Sequence, residues 1–331
     1  MSKNVKKLIL KNQSDAAFYQ YDPKMGFWGI PNMSRDVSCE QRRGEFIPVF
    51  HNENGNRDKP FETGKDKAKV LCFGGSHTWG AGVRAENRYS NLLEKRMGAR
   101  VVNSGHCSLG LDQICLNILD SATSYAPDVI VVEQYPWSLH RILNTYVVGY
   151  VKPHFFLDGQ GEIRLTKVPK LARFKFFRNI IGSAYQYRKE LREFMAGIDL
   201  KSGYDPLTDP VFLLWKSTHY QYMYLLIEKI LGIMRDFCVQ KNIRLLFAIG
   251  AVSQQFAETS KSDLIDYSLP KKKFISLLEK LGISYVDVSE ILLEQHNSSD
   301  PVIFFDGHIN EKGNQIFSDA LYQNMAEKGW I

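Results

Sequence analysis

The chain has 331 residues, of which 44% are hydrophobic and 24% charged, and its formal net charge is +6. This composition excludes a disordered chain, and the length allows one large or two smaller domains with a core that needs neither disulfides nor metals. The five cysteines form no C-x-x-C pair, so neither a zinc site nor a disulfide framework is predicted.

The chain reads as an extension followed by alternating strands and helices. Residues 1–66 are rich in Asn, Asp, Lys, Gly and Pro, which predicts an irregular N-terminal extension packed on the rest of the protein. Predicted strands cover 69–74, 100–103, 128–133, 243–249 and 284–288. Predicted helices cover 86–97, 111–122, 220–240 and 271–280, and a last helix is capped by Asn310. We therefore predict that 67–331 is an α/β domain: a three-layer sandwich around a five-stranded, mainly parallel sheet.

The alternation is interrupted between about 138 and 218, which we interpret as an insertion after the third strand. Between Arg164 and Arg192 this insertion carries nine basic residues and one acid, with aromatic side chains between them. Such a pattern predicts either a lid for an anionic substrate or a solvated helical face with its apolar side packed down. No recognised RNA-binding or DNA-binding module is present, so we predict no nucleic-acid partner.

Residues with hydrolytic chemistry follow the ends of the predicted strands. Ser76 lies in the glycine-rich loop after the first strand, and Asp306 and His308 lie beyond the last. The carboxyl ends of parallel strands meet at one edge of the sheet, where ligands bind. A neutral histidine can take the proton of a serine, and a nearby carboxylate can orient that histidine. We predict a catalytic triad of these three residues; the alternative is a helix cap at Ser76 and a simple turn at 306–308.

The motifs around these residues resemble those of the SGNH (GDSL-type) hydrolases. Gly74-Gly-Ser-His-Thr-Trp-Gly is similar to the first block of that family, with Gly75 in place of an aspartate. Asn103-Ser-Gly is similar to the second block, and Asp306-Gly-His to the last. Segments 21–27 and 51–58 also resemble an N-terminal segment of one bacterial branch. The resemblance covers most of the chain outside 138–218, and it implies the flavodoxin-like SGNH fold and an O-acyl ester substrate, with no metal or cofactor.

The oxyanion hole is where the chain departs from the family. The resemblance implies that the N–H groups of Ser76 and Gly105 donate to the oxyanion. The third family block, Gly-x-Asn-Asp, is missing, and Trp137 stands at the position of its asparagine. Trp137, Gln134 and Arg141 are candidate substitute donors, the alternative for Trp137 being an aromatic lid packed on the insertion. Three residues that flank the predicted site are expected to contact the substrate: His77, His106 and Arg141.

Three functions are consistent with this pattern. The first is a serine esterase or deacylase that removes an O-acyl group, expected to be acetyl, from a carbohydrate or related small substrate. The second is an O-acyltransferase that passes the acyl group of a donor to a bacterial glycan or its precursor. The third is a non-catalytic carbohydrate-binding or assembly protein. Because no apolar run approaches the ~18 residues of a membrane span and the N-terminal apolar run is too short for a signal peptide, we expect a soluble cytoplasmic protein.

Overall fold

A computed structural model describes residues 18–39, 42–62, 67–178, 218–251, 253–256, 268–304 and 306–331. The strands in chain order are β1 (Tyr19–Asp22), β2 (Gly26–Gly29), β3 (Ser34–Cys39), β4 (Glu45–Phe50), β5 (Val70–Gly74), β6 (Val101–Gly105), β7 (Val129–Gln134), β8 (Tyr146–Val147), β9 (Tyr150–Val151), β10 (His154–Leu157), β11 (Ile163–Thr166), β12 (Arg244–Ile249) and β13 (Ser284–Asp287). The α-helices are α1 (Ser76–Trp79), α2 (Tyr89–Met97), α3 (Leu111–Tyr125), α4 (Thr218–Gln240), α5 (Ser253–Phe256), α6 (Leu269–Lys280), α7 (Val288–Gln295) and α8 (Glu311–Glu327). Within the described ranges, no helix is long and apolar enough to cross a membrane.

The central sheet contains five strands in the order β13–β12–β7–β5–β6, all of them parallel. The middle strand β7 has the sequence Val-Ile-Val-Val-Glu-Gln, and all six residues are buried. Continuous apolar and β-branched runs are typical of parallel strands that are covered on both faces. The prediction of a five-stranded parallel sheet in an α/β fold is confirmed, with no antiparallel strand in this sheet.

Helices cover both faces of this sheet. Alternate side chains of a strand point to opposite faces, so Leu71 and Phe73 pack in one cluster whereas Val70 and Cys72 pack in the other. The first cluster includes residues of α3, α4 and α6, and the second includes residues of α2, α7 and α8. The result is the predicted sandwich of three layers.

The N-terminal extension is more regular than its sequence predicts. Strands β1 and β2 form one antiparallel hairpin, and β3 and β4 form a second. After the second hairpin, Arg57 is almost completely buried and donates to the main-chain oxygens of Gly80 at 2.5 Å and Val83 at 2.9 Å. The described part of the extension is thereby joined to the segment that follows α1. The prediction of an irregular segment is wrong for the described part of the extension. Pairing within each hairpin satisfies the backbone hydrogen bonds, and the polar sequence gives no pattern that predicts this pairing.

The insertion begins with a 3-10 segment at Pro136–Leu143 and continues in two short antiparallel hairpins, β8–β9 and β10–β11. Of the basic and aromatic stretch that the sequence singles out, the part from 179 to 192 lies outside the described residues. In the described part, Phe174 and Phe176 are exposed. The prediction of a lid for an anionic substrate stays a prediction.

Candidate active site

Three side chains from opposite ends of the sequence form one hydrogen-bonded chain. Ser76 is the first residue of α1, directly after β5, and its Oγ lies 2.8 Å from His308 Nε2. His308 Nδ1 lies 2.9 Å from Asp306 Oδ2. A carboxylate beside Nδ1 accepts a hydrogen bond from the Nδ1–H group, which leaves Nε2 as the acceptor that faces the serine hydroxyl. The arrangement is that of a serine beside a base which is itself oriented by a carboxylate.

The turn that carries Asp306 and His308 is closed by local hydrogen bonds. Ile303 and Ile309 form an antiparallel bridge across it, and the Phe304 N–H donates to the His308 carbonyl at 2.7 Å. Gly307 at the centre has φ +89°, a backbone conformation that glycine adopts without strain. The Asp306 carboxylate also accepts from the His308 N–H at 3.1 Å, so the same side chain holds both the main chain and the ring of His308.

A buried carboxylate holds the main chain around Ser76. Glu133, on the neighbouring strand β7, accepts from the Gly75 N–H at 2.9 Å, the Thr78 N–H at 3.3 Å and the Thr78 hydroxyl at 2.8 Å. Burial raises the pKa of Glu133, whereas these hydrogen bonds oppose the rise by favouring the charged form. Sequence reasoning missed this residue, although an acidic side chain inside an apolar strand is a signal that can be recognised.

Gly105 has a different role from the predicted one, in which its N–H donates to the oxyanion. Its N–H donates to Asn103 Oδ1 at 3.0 Å, so it is not available to an oxyanion, and that prediction is wrong. A Cβ at this position would lie 2.6 Å from Thr78 Cβ, so only glycine lets β6 approach α1 this closely. Asn103 in turn donates to the Thr78 carbonyl at 2.6 Å. The second motif therefore braces α1 from beside the sheet.

Ser108 is a further residue that sequence reasoning missed. It lines the same cavity as Ser76 and His308, and its φ is +65°, in the left-handed region that serine seldom adopts. Such backbone outliers concentrate at functional sites. Among the residues that the structure describes, none accepts from the Ser108 N–H. A serine in the sequence gives no sign of a positive φ, so no signal pointed to it.

The three candidates after β7 differ in how they are placed. Gln134 Nε2 donates to the Tyr135 carbonyl at 2.9 Å and to Ser138 Oγ at 2.8 Å, which uses both of its N–H groups. The prediction that Gln134 donates to an oxyanion is therefore wrong. Trp137 and Arg141 both line the cavity, and the Arg141 guanidinium lies 4.6 Å from the centre of the Trp137 ring. The structure thus brings a positive charge to the position near the missing asparagine.

The two histidines that were expected to contact substrate are buried instead. His77 stacks on Tyr135 with ring centroids 3.6 Å apart, and its Nδ1 accepts from the Ile309 N–H at 3.5 Å. Burial holds the pKa of His77 well below its ordinary value, so it is neutral. His106 is fully buried with Nε2 3.2 Å from Asn56 Oδ1. Neither ring lines the cavity, so the predictions of substrate contact are corrected: the protein's own packing occupies both rings.

A cavity of about 510 Å³ opens beside the hydrogen-bonded chain. Its polar lining residues include Ser76, His308, Ser108 and Arg141, together with Arg35, Asp36 and Ser38 of β3. Its remaining wall includes residues of α1 and of the β3–β4 hairpin, so the N-terminal extension contributes to the cavity. Within the described ranges, no group of three or more His, Cys, Asp or Glu is placed to hold a metal ion.

Fold and site together define an α/β protein with a serine–histidine–aspartate arrangement at the carboxyl edge of a parallel sheet. No protein-family model matches the chain, and no curated protein matches it. Similar solved structures include a member of the lipolytic G-D-S-L protein family from Veillonella parvula, 11% identical, which covers 78% of this chain and 97% of its own with a TM-score of 0.41. A lipase/acylhydrolase from Enterococcus faecalis is 9% identical and covers 79% and 96% with a TM-score of 0.44. An acetyl xylan esterase is 15% identical and covers 77% and 98% with a TM-score of 0.43.

Proposed function

We propose that this chain is a serine hydrolase of the SGNH type that cleaves an O-acyl ester. The observation that carries the proposal is the continuous hydrogen-bonded chain from Asp306 through His308 to Ser76. The motifs around these three residues resemble those of SGNH hydrolases, and the resemblance supports an ester substrate. The alcohol part of the ester is proposed to be a sugar or a related hydroxyl compound.

The mechanism assigns one step to each group. The Ser76 Oγ attacks the ester carbonyl carbon while His308 Nε2 takes its proton, and Asp306 stabilises the imidazolium that forms. The bond to the alcohol oxygen then breaks, and His308 returns the proton to that oxygen. A water molecule attacks the acyl-serine with His308 again as the base, so that a carboxylic acid leaves and Ser76 regains its proton.

Stabilisation of the oxyanion is assigned to groups around the cavity. The Ser76 N–H lies in the first turn of α1, where a helix has no partner for its N–H groups. We assign it as one donor and the Ser108 N–H as the second, with Arg141 supplying positive charge in place of the missing asparagine. Each such donor lowers the activation free energy of acyl transfer by about 2.7–4 kcal/mol.

A fluorophosphonate probe tests the proposal directly. The wild-type chain is expected to gain one probe mass, located on Ser76 by peptide mapping, and to release acid from model esters. Ser76→Ala should lose both properties, whereas Ser34→Ala, a change on the exposed face of the β3–β4 hairpin, should keep both. Ester cleavage that is unchanged in Ser76→Ala would overturn the assignment.

The same experiment separates hydrolysis from acyl transfer. With an added sugar acceptor, a hydrolase releases free acid in an amount that does not depend on the sugar. A transferase would instead form the acylated sugar at the expense of the acid, because the sugar hydroxyl replaces water in the second step. Folded protein with neither labelling nor turnover would support the non-catalytic binding protein.

A further inference from the structure

The β3–β4 hairpin makes part of the wall of the cavity. Side chains alternate between the two faces of a strand, and the cross-strand pairs Val37–Ile47 and Arg35–Val49 lie on one face. All four residues of this face line the cavity. The opposite face carries Phe46, which is 65% exposed. Asp36 and Ser38 of this opposite face also line the cavity, whereas Ser34 and Phe46 are exposed and do not. The hairpin therefore has a cavity face, and the part of its opposite face around Ser34 and Phe46 is its solvent face.

A basic side chain in the described part of the hairpin connection contacts the rest of the protein. Arg42, in the connection between β3 and β4, donates to the Gly82 carbonyl at 3.0 Å and forms an ion pair with Glu311 at the start of α8. Ile47 and Val49 are nearly fully buried, although β3 and β4 pair only with each other in the described sheets. Both belong to the larger hydrophobic cluster that also contains residues of the central sheet, so the hairpin packs on the α/β domain.

Most side chains of this wall are apolar. Its apolar members from the hairpin and its surroundings are Phe18, Val37, Cys39, Ile47, Val49, Trp79 and Cys107, and its polar members from β3 are Arg35, Asp36 and Ser38. A sugar placed against the apolar members would lose the hydrogen bonds of its hydroxyls with water, at a cost that these side chains do not offset. Hydrocarbon gains free energy in the same place, because its apolar surface leaves water.

The volume of the cavity is larger than an acetyl group needs. A heavy atom of a ligand takes about the volume of one water molecule, roughly 30 Å³. An eight-carbon acyl group with its carbonyl oxygen has nine such atoms, about 270 Å³, which is about half of the 510 Å³ present. The other half leaves room for part of the alcohol on the side of Arg141.

We propose that the β3–β4 hairpin is the acyl-binding wall of the cavity, a proposal that rests on the proposed function. The acyl group is then an unbranched chain of about six to eight carbons. The expected acetyl group would leave most of the apolar wall in contact with water. The apolar chain lies against the hairpin, and the alcohol leaves toward the opening. The N-terminal extension is thus a determinant of specificity.

A chain-length series of p-nitrophenyl esters tests this proposal. For the wild type, kcat/KM is expected to rise about threefold to fourfold per methylene from acetate to hexanoate. Val37→Trp fills the cavity from its partly exposed edge and should lower kcat/KM for the octanoate ester at least tenfold more than for the acetate ester. Ser34→Trp places the same ring on the solvent face and should leave the chain-length profile unchanged. A wild-type profile that favours acetate, or an equal loss for all esters in Val37→Trp, would overturn the proposal.

A binding measurement separates this proposal from the catalytic one. Trp79 and Trp137 both line the cavity, so their fluorescence reports its occupation. Ser76→Ala, which cannot turn over, is titrated with methyl hexanoate and with methyl acetate. Tighter binding of methyl hexanoate, weakened by Val37→Trp, supports the acyl-binding wall even if no ester is cleaved. Equal binding of the two esters contradicts the wall, even if Ser76 proves to be the nucleophile.

Discussion

The Glu133 carboxylate accepts a hydrogen bond from the N–H of Gly75, the residue directly before Ser76, at 2.9 Å. The same oxygen accepts from Thr78 in the first turn after it, so one buried atom on β7 holds both sides of the serine. Glu133 does not line the 510 Å³ cavity, and its hydrogen bonds reach Ser76 through the main chain of the neighbouring Gly75. It is a positioning residue for the proposed nucleophile.

Replacing Glu133 should therefore separate position from charge. Glu133→Ala leaves three donors without this acceptor and is expected to lower the free energy of unfolding by about 3 kcal/mol or more, at 1–3 kcal/mol for each donor left unpaired. It should also lower kcat with little change in KM, because Ser76 is displaced while the cavity remains. Urea unfolding and steady-state kinetics measure the two effects.

Glu133→Gln is the matched control, since its amide oxygen can accept from the same groups without a charge. We expect it to restore most of the stability and at least part of kcat. If Glu133→Gln lost as much stability and kcat as Glu133→Ala, the role of Glu133 would depend on its charge and not on holding Gly75 in position.

The interaction between Asp306 and His308 predicts a large effect of a small change. Asp306→Asn puts an amide beside His308 Nδ1, which favours the wrong tautomer and removes the charge that stabilises the imidazolium. The rate of ester cleavage should fall by about 10³–10⁴, with a change of less than about 1 kcal/mol in stability at this partly exposed position. Single-turnover kinetics on an activated ester give the rate, and a loss of less than tenfold would contradict the role of Asp306.

Substitutions at Ser108 distinguish the contribution of its backbone N–H from that of its side chain, because its backbone is in the left-handed conformation. Ser108→Gly keeps the N–H and relieves the strain, so kcat should stay within about twofold, while stability rises by up to about 1 kcal/mol. Ser108→Val places a β-branched side chain at φ +65° and should lower both stability and kcat. Thermal unfolding and kinetics of the pair test this, and a loss of activity in Ser108→Gly would show that the hydroxyl matters instead.

Arg57 is expected to connect the extension to the site. Its guanidinium donates to the carbonyls of Gly80 and Val83 and lies 4.5 Å from the centre of the Trp79 ring. Burial and the nearby Arg88 lower the pKa of Arg57 to about 9. Arg57→Met should cost about 3 kcal/mol or more, because buried carbonyls lose a charged donor. It should also raise KM for esters, because Trp79 lines the cavity.

Arg57→Lys is the conservative comparison for this position. Lysine keeps the charge but lacks the fork that reaches several carbonyls at once, so we expect only partial recovery. A cost below about 1 kcal/mol for Arg57→Met would mean that the extension does not depend on this contact.

Sequence reasoning succeeded where local patterns determine the structure. The strands β5, β7 and β12 end within one residue of their predicted ends, because apolar β-branched runs are buried on both faces of a parallel sheet. It failed for β3, whose sequence Ser-Arg-Asp-Val-Ser-Cys shows no apolar alternation. The burial of the β3–β4 hairpin depends on residues that are distant in sequence, such as Trp79 and Cys107, which line the same cavity.

The same distinction applies to the site. Ser76, Asp306 and His308 were recognisable by residue type and motif, and the structure brings them together. Gly105 and His77 were misassigned because their environments come from tertiary contacts, the close approach of Thr78 and the stacking on Tyr135. A motif shows which residues are near the chemistry but not which of their atoms are already occupied.

Buried neutral histidines predict a loss of stability in acid. Burial lowers the pKa of His51 to about 4, from an ordinary value of 6.5, and holds the pKa of His106 well below that ordinary value. Because the unfolded chain binds a proton at each near pH 6.5 and the folded chain does not, stability is complete above that pH and falls as the pH drops below it. Each histidine contributes a slope of about 1.4 kcal/mol per pH unit, and for His51 the sum down to pH 4 is about 3 kcal/mol.

His51→Gln isolates this contribution. Glutamine can donate to the Ile30 carbonyl that lies 3.2 Å from His51 Nδ1, and it does not titrate. Urea unfolding of the wild type and the variant at pH 7.5 gives the cost of the substitution itself, since His51 is neutral in both states there. Between pH 6.5 and 4 the wild type should then lose about 3 kcal/mol more than the variant. An equal loss of stability in both proteins would contradict this prediction. It would show that the protons taken up on unfolding in acid bind to groups other than His51.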